Sequence, residues 1–387
     1  MIDPPSGAEV VWTSPDLERV VDYFTNTLGF HIALVFPADD PRETVVVGHG
    51  LRLRLCRGEA TGGLTVRVPA ARITDASRAQ QDAPPGVRLE LDPEPWPVRL
   101  PESRPVFARS PHAAGAGNPG RAGMLYRDLI PGRQGGRYIA SQISIPQGGA
   151  VPDYVHFHEV HFQMIYCHRG WVRVVYEDQG PPFVMEAGDC VLQPPGIRHR
   201  VLESSPGLEV IELSSPAEHV TRADPELDLP TPSLLPGRVF HGQRFLWFRA
   251  ASAGAVSRSS HPGFAATSLE MADATAGVAA AHHLRALPED NRGGAGADTA
   301  GAGADTAGDP VGVWRHDADL LFYFVRAGSG ALRCEGQGRF VLQPDDAVVI
   351  PPETAYAWSD PSADFELLEI MLPAGGRRVH ADESFLR

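Results

Sequence analysis

Two distant stretches of this chain repeat one plan. Gln163-MIYCHR-Gly170 has a counterpart in Leu321-FYFVRA-Gly328, and Gly188-DCVLQ-Pro194 has one in Asp345-DAVVI-Pro351. Each run is apolar, rich in β-branched or aromatic residues, and stopped by Gly or Pro. That is the pattern of a strand between turns. A duplicated set of such strands implies two like β-domains in one chain. The 40 Gly and 36 Pro, spread among many short apolar runs, fit β-rich structure with many turns. At 387 residues the chain has room for two or three domains with real cores. The expected class is mainly β, preceded by a small α+β unit.

The chain divides by composition. Residues 1–100 read as the order βαβββ. Ser14 is the expected N-cap of the helix, with Pro15 at its first position. Leu17, Val20, Val21, Phe24 and Leu28 recur at helical spacing until Gly29. Residues 101–123 turn to Pro, Gly, Ala and Ser and read as a linker. Residues 124–222 form the first β-domain, 223–236 a second Pro-rich linker, and 237–387 the second β-domain. Within the last, GAGADTAGAGADTAG in residues 293–309 is a low-complexity repeat with nothing to bury, expected to be a disordered insert.

The chemistry concentrates in the first β-domain, in Gly149-AVPDYV-His156-Phe-His158-EVHF-Gln163 and in Gly188-DCVLQ-Pro194-Pro-Gly196-IR-His199. Residues two apart in a strand share a face, so His156 and His158 project together. The Pro-Pro-Gly turn delivers His199 from a neighbouring strand. Three neutral imidazoles suit one divalent transition metal. Iron is favoured, and manganese, nickel, copper and zinc are also compatible. Tyr154, Ile165, Cys167, Val174 and Arg198 are candidates for the surrounding wall. Arg198, beside His199, could pair with an anionic substrate. His161 reads as a rim residue and His168, next to a turn, as solvated.

These two pieces resemble the two motifs of the cupin superfamily. The resemblance implies an antiparallel β-barrel with a metal on His156, His158 and His199. Where the family carries a Glu, this chain has Gln163, which can ligate through its carbonyl oxygen but brings no charge. In the second repeat Trp314, His316, Leu321 and Tyr356 fall on the places of His156, His158, Gln163 and His199. One imidazole does not hold a metal, so that barrel reads as degenerate. The whole is then a bicupin. His282 and His283 are adjacent, so they point to opposite faces of a strand. The N-terminal run SPDLERVVDYFTNTLGF resembles one module of the vicinal-oxygen-chelate (glyoxalase-like) superfamily. In that family Glu9 would occupy a ligand position, but Arg54, Leu55, Cys56 and Arg57 stand where a second carboxylate is needed. A metal-free packing module is expected.

Charge and targeting narrow the partners. The net charge of −14 disfavours nucleic acid and anionic lipid. All 34 basic side chains are Arg, so lysine Schiff-base chemistry is excluded. Four scattered cysteines, Cys56, Cys167, Cys190 and Cys334, read as reduced thiols of a cytoplasmic, bacterial protein. Neither a signal peptide nor a membrane span is expected. The expected partner is a small-molecule substrate, with homodimerisation a further expectation.

The favoured function is a mononuclear metal-dependent dioxygenase of a small aromatic or enol/dicarbonyl substrate, with Gln163, Arg198 and Tyr154 as catalytic candidates. Tyr154, Tyr166 and Trp171 motivate the aromatic substrate as expected cavity walls. The alternatives are a redox-neutral isomerase or lyase and a non-catalytic small-ligand sensor.

Overall fold

The computed structural model describes residues 8–73, 75–92, 96–112, 117–252, 257–258, 263–287 and 312–381. They fall into two compact units that divide after Pro95. The 293–309 tract lies outside the described residues.

The first unit has a four-stranded sheet in the spatial order Val10–Ser14, Leu51–Arg57, Glu43–Gly48, His31–Phe36. The first pair is parallel and the others antiparallel. The helix Leu17–Asp22 runs on as a wider π-turn, Tyr23–Thr27. Val20, Phe24 and Leu28 pack beneath it against Leu53 and Leu55. Its cap is Asp16, which accepts from Arg19 N at 3.2 Å, and not the expected Ser14. Ser14 ends the strand, and its hydroxyl accepts from Asp16 N. Two parallel strands, Leu64–Pro69 and Val87–Asp92, complete this unit. Glu9 is held by Arg52 Nε and Arg54 Nε, each at 2.7 Å. Its carboxylate is thus occupied by two guanidinium groups.

The second unit is a pair of antiparallel β-sandwiches. In the first, one sheet runs Leu246–Phe248, Cys190–Leu192, Phe162–Arg169, Leu208–Ser215, Ile139–Ile145, Leu125–Asp128, Asn118–Pro119. The facing sheet runs Phe183–Glu186, Trp171–Tyr176, His199–Ser204, His156–His158, Thr221–Ala223. The second sandwich repeats both sheets around Leu320–Ala327 and Glu366–Leu372. Barrels were expected, but among the described residues the pairing stays within two facing sheets and closes no ring.

Strand periodicity sets what each sandwich buries. Along Phe162–Arg169 the even positions Phe162, Met164 and Tyr166 face the other sandwich, and Cys167 faces inward. Along Leu320–Ala327, Leu320, Phe322 and Phe324 face the first sandwich, while Leu321, Tyr323 and Val325 face inward. These strands are apolar at nearly every position because both of their faces are buried. Each large side chain so buried is worth about 1.5–3 kcal/mol.

The two sandwiches match residue by residue. The pairing with the neighbouring strand slips between Cys167 and Arg169 in one and between Val325 and Ala327 in the other. Arg169 then faces Glu209, and Ala327 faces Glu366. Each sandwich also completes the other's sheet. Ala108–Ser110, from the expected linker, pairs with Ala347–Ile350 of the second. Leu246–Phe248 pairs with Cys190–Leu192 of the first. Asp346 Oδ1 accepts from His112 N at 2.7 Å, just as Asp189 Oδ1 accepts from Ala250 N at 2.9 Å.

Candidate metal centre

The strand His156–His158 pairs with both His199–Ser204 and Thr221–Ala223, and His156 lies directly opposite His199. One nitrogen from each of His156, His158 and His199 lies within 4.8 Å of the others. The other nitrogen of each ring is anchored. His156 Nδ1 sits 2.8 Å from the Tyr154 carbonyl, His199 Nδ1 3.0 Å from the Ile197 carbonyl, and His158 Nδ1 2.8 Å from Thr221 Oγ1. A carbonyl can only accept, so His156 and His199 carry their proton on Nδ1 and present a bare Nε2. His156 Nε2 is fully buried with no partner among the described residues. Burial, joined by the Arg121 charge, pushes the His156 pKa down, and burial holds His158 and His199 well below the usual imidazole range. Neutral, oriented imidazoles converging on one point are the donor set a transition metal requires.

The rings of His158 and His199 line a cavity of ≈ 80 Å³. Ile165 and Val174 line it as expected, together with Tyr126, Tyr176, Arg121 and Glu212. Arg121 is paired with Asp153 and lies 3.4 Å from His156 Nδ1. Tyr176 stacks on His199 and accepts from Gln193 Nε2 at 2.7 Å. Glu212 alternates with Val210 on the inward face of its strand. Burial raises its pKa, opposed by the His219 and Arg121 charges.

Gln163 is buried on the same inward face. Its amide nitrogen approaches Glu212 without closing a regular hydrogen bond to any described group. Arg198 lies elsewhere. It donates to Asp224 Oδ2 at 3.1 Å and stacks over Phe157, which points away from the two histidines. Tyr154 is 46% exposed and meets His156 edge-on, so its carbonyl is the group that positions the site. Cys167 is buried in the inward core. His161 is half-buried beside a separate groove. His168 is buried, not solvated, because its even position faces the second sandwich. Tyr166 belongs to the core between the sandwiches and Trp171 does not reach the cavity, so neither supplies the expected aromatic wall. Sequence reading missed Glu212, Arg121, Thr221 and His219. His219 packs edge-on to His158, with ring centres 5.4 Å apart.

Residues 142–211 match the family model described as the cupin domain. That match lies within the first sandwich, between the strands Ile139–Ile145 and Leu208–Ser215. No curated protein sequence matches the chain. Among solved structures, it is similar to a single-site mutant of salicylate 1,2-dioxygenase from Pseudoaminobacter salicylatoxidans in complex with gentisate. That match has 14% identity and a TM-score of 0.50, and covers 73% of this chain and 88% of that one. Oxalate decarboxylase from Lactobacillus farciminis, as a formate complex, matches at 13% identity and a TM-score of 0.48, covering 70% of this chain and 88% of the other. The likeness to these structures is one of fold, and the site's chemistry rests on the residues above. The four cysteines are free thiols. Among the described residues no helix is long and apolar enough to cross a membrane.

Proposed function

We propose that the first sandwich is a mononuclear metal-dependent dioxygenase centre for a small aromatic or enol/dicarbonyl substrate that binds as an anion. The supporting observation is the set of three imidazoles with anchored outer nitrogens, whose ligand atoms converge within 4.8 Å beside a largely apolar cavity. A divalent ion held by His156, His158 and His199 would supply Lewis acidity and a place for dioxygen. Iron is the favoured ion. Arg121 offers a positive charge on the cavity wall for a substrate anion. Glu212 Oε is placed to receive the proton that a substrate hydroxyl gives up. The apolar wall of Ile143, Ile165, Val174 and Val210 keeps water from the reacting atoms. Gln163 stands beside Glu212 on the same inward face. The first 95 residues are read as a glyoxalase-like module with no metal of its own, because Glu9 is already taken by Arg52 and Arg54.

A redox-neutral isomerase or lyase is the second reading. It is favoured by Glu212, a buried carboxyl with a raised pKa on the cavity wall, suited to moving protons. Oxygen uptake separates the two. Metal-loaded protein is offered catechols, 1,3-diketones and enols in an oxygen electrode. Substrate-dependent uptake supports the dioxygenase; turnover without uptake moves the assignment to the second reading, and no turnover with any of them sinks both.

A further inference from the structure

The internal repeat builds two equivalent niches where the sandwiches meet, and they are filled differently. In the first niche Asp345, from the second sandwich, reaches across. Its Oδ1 lies 2.8 Å from His168 Nε2, and its Oδ2 accepts from Arg169 Nη2 at 2.9 Å. Arg169 also donates to Glu209 Oε2 at 2.8 Å. Arg127 closes the niche by donating to the Asp345 carbonyl at 2.6 Å. Two carboxylates therefore face two guanidinium groups and an imidazole. Asp345 adopts a left-handed backbone (φ 72°), unusual for a residue with a side chain, to deliver its carboxylate there.

In the second niche the same register places Glu366 at the position of Glu209, Arg326 at that of His168 and His283 at that of Gln142. Glu366 accepts from Arg326 Nη1 and from Arg285 Nε, both at 2.9 Å, and lies 3.1 Å from His283 Nε2. Asp345 is matched here by Gly188, and Arg127 by Thr267. The niche is one carboxylate short and lacks the closing arginine. What stands there is a cavity of ≈ 460 Å³, bordered by Gly188, Thr267, His283, Arg285, Arg326 and Glu366. Among the described residues, counting histidine neutral, its fixed charges leave one positive charge in excess. Arg326 Nε is buried with no partner among the described residues.

We propose that this niche binds a small organic carboxylate, whose carboxylate group takes the part that the Asp345 side chain plays in the first niche. Arg326 is its principal partner, and the ring of Phe248 offers the ligand's apolar part a surface. The site is separate from the histidine cavity and shares no lining residue with it.

Titration calorimetry of the full chain with benzoate tests this, with inorganic phosphate as comparator. A saturable benzoate site should survive His158→Ala, which disables the metal centre. It should weaken at least tenfold in Arg326→Gln. Thr267→Arg, which restores the closing arginine, should abolish it. Thermal unfolding checks that each variant folds, and if Arg326→Gln does not, Thr267→Arg decides. Benzoate binding lost in His158→Ala and unchanged in the niche variants would overturn the proposal. So would binding of phosphate alone, or no benzoate binding at millimolar concentration.

Discussion

The interiors of the two sandwiches pose the same electrostatic problem and solve it differently. Glu212 and Glu369 occupy equivalent inward positions. In the second sandwich Glu369 is buried and ion-paired to Arg378 at 2.5 Å, with His282 Nδ1 3.3 Å away. Arg378 stands opposite His316, as Thr221 stands opposite His158 in the first. A guanidinium thus sits in the strand position whose hydroxyl anchors a histidine in the other half. The surrounding space is packed with Tyr323, Tyr356, Trp358 and Phe365. His316 is turned so that its Nε2 lies 3.0 Å from the Ile350 carbonyl, and that nitrogen does not point to a shared centre. In the first sandwich the inward carboxyl keeps a cavity and three bare imidazole nitrogens for company. One half invests its interior in a fixed cation; the other leaves room for an exchangeable one.

Metal content gives the sharpest test of that contrast. Protein loaded with ferrous iron should hold about one ion per chain. His158→Ala should lose most of it, and His316→Ala should keep it. Equal losses in elemental analysis would erase the distinction between the halves.

Stability should show the next largest effect. Arg378→Met leaves Glu369 charged and buried without its guanidinium, which costs about 3–5 kcal/mol. Adding Glu369→Gln should recover much of that in denaturant unfolding. Glu212→Gln should cost less, because burial already works against the Glu212 carboxylate. If Arg378→Met proves as mild as Glu212→Gln, the fixed-cation view of the second sandwich is wrong.

Acid should act on both sandwiches, through His158 and His199 in the first and through His316 in the second. Burial lowers the His316 pKa to about 4, below its unfolded value, so the unfolded chain binds this proton first. Its contribution is complete above about pH 6.5 and is lost as pH falls toward 4, amounting to about 3 kcal/mol. The Glu366 carboxyl is lowered to about 2, chiefly by its contact with His283, so its contribution is lost between about pH 4.5 and 2. His316→Gln should flatten the upper part of this profile. An unchanged slope between pH 6.5 and 4 would assign the acid response to other groups.

The smallest effect concerns Gln163. A second carboxylate beside Glu212, in Gln163→Glu, should weaken binding of an anionic ligand such as catecholate by about 1–3 kcal/mol. Metal content should stay unchanged. Equal catecholate affinity in the two proteins would remove residue 163 from the substrate's surroundings.

The histidines were legible because two short motifs, each with its own spacing, converge on one site. Glu212 was not. It lies in Leu208–Ser215, a strand buried on both faces whose sequence LEVIELSS mixes apolar and polar residues without a clean alternation, so nothing local marks Glu212 as inward. Arg121 reaches the cavity from a segment read as a linker, and no local pattern announces that. Strand parity would have placed His168 in the contact between the sandwiches, but its nearness to Gly170 suggested solvent. The two-sheet plan and its duplication were written in the repeated runs. The exchange of edge strands was not, since Ala108–Ser110 and Leu246–Phe248 pair with partners far away in the chain.

That exchange bears on how a nascent chain can fold. Ala108–Ser110 leaves the ribosome before the first sandwich, yet its partner Ala347–Ile350 is among the last strands made. The first sandwich meanwhile lacks an edge until Leu246–Phe248 emerges. Neither half can therefore be finished by vectorial synthesis alone, and both edges stay open to foreign strands during translation. Docking should be late and concerted, and an incomplete chain should be more prone to aggregation than its burial pattern alone would suggest.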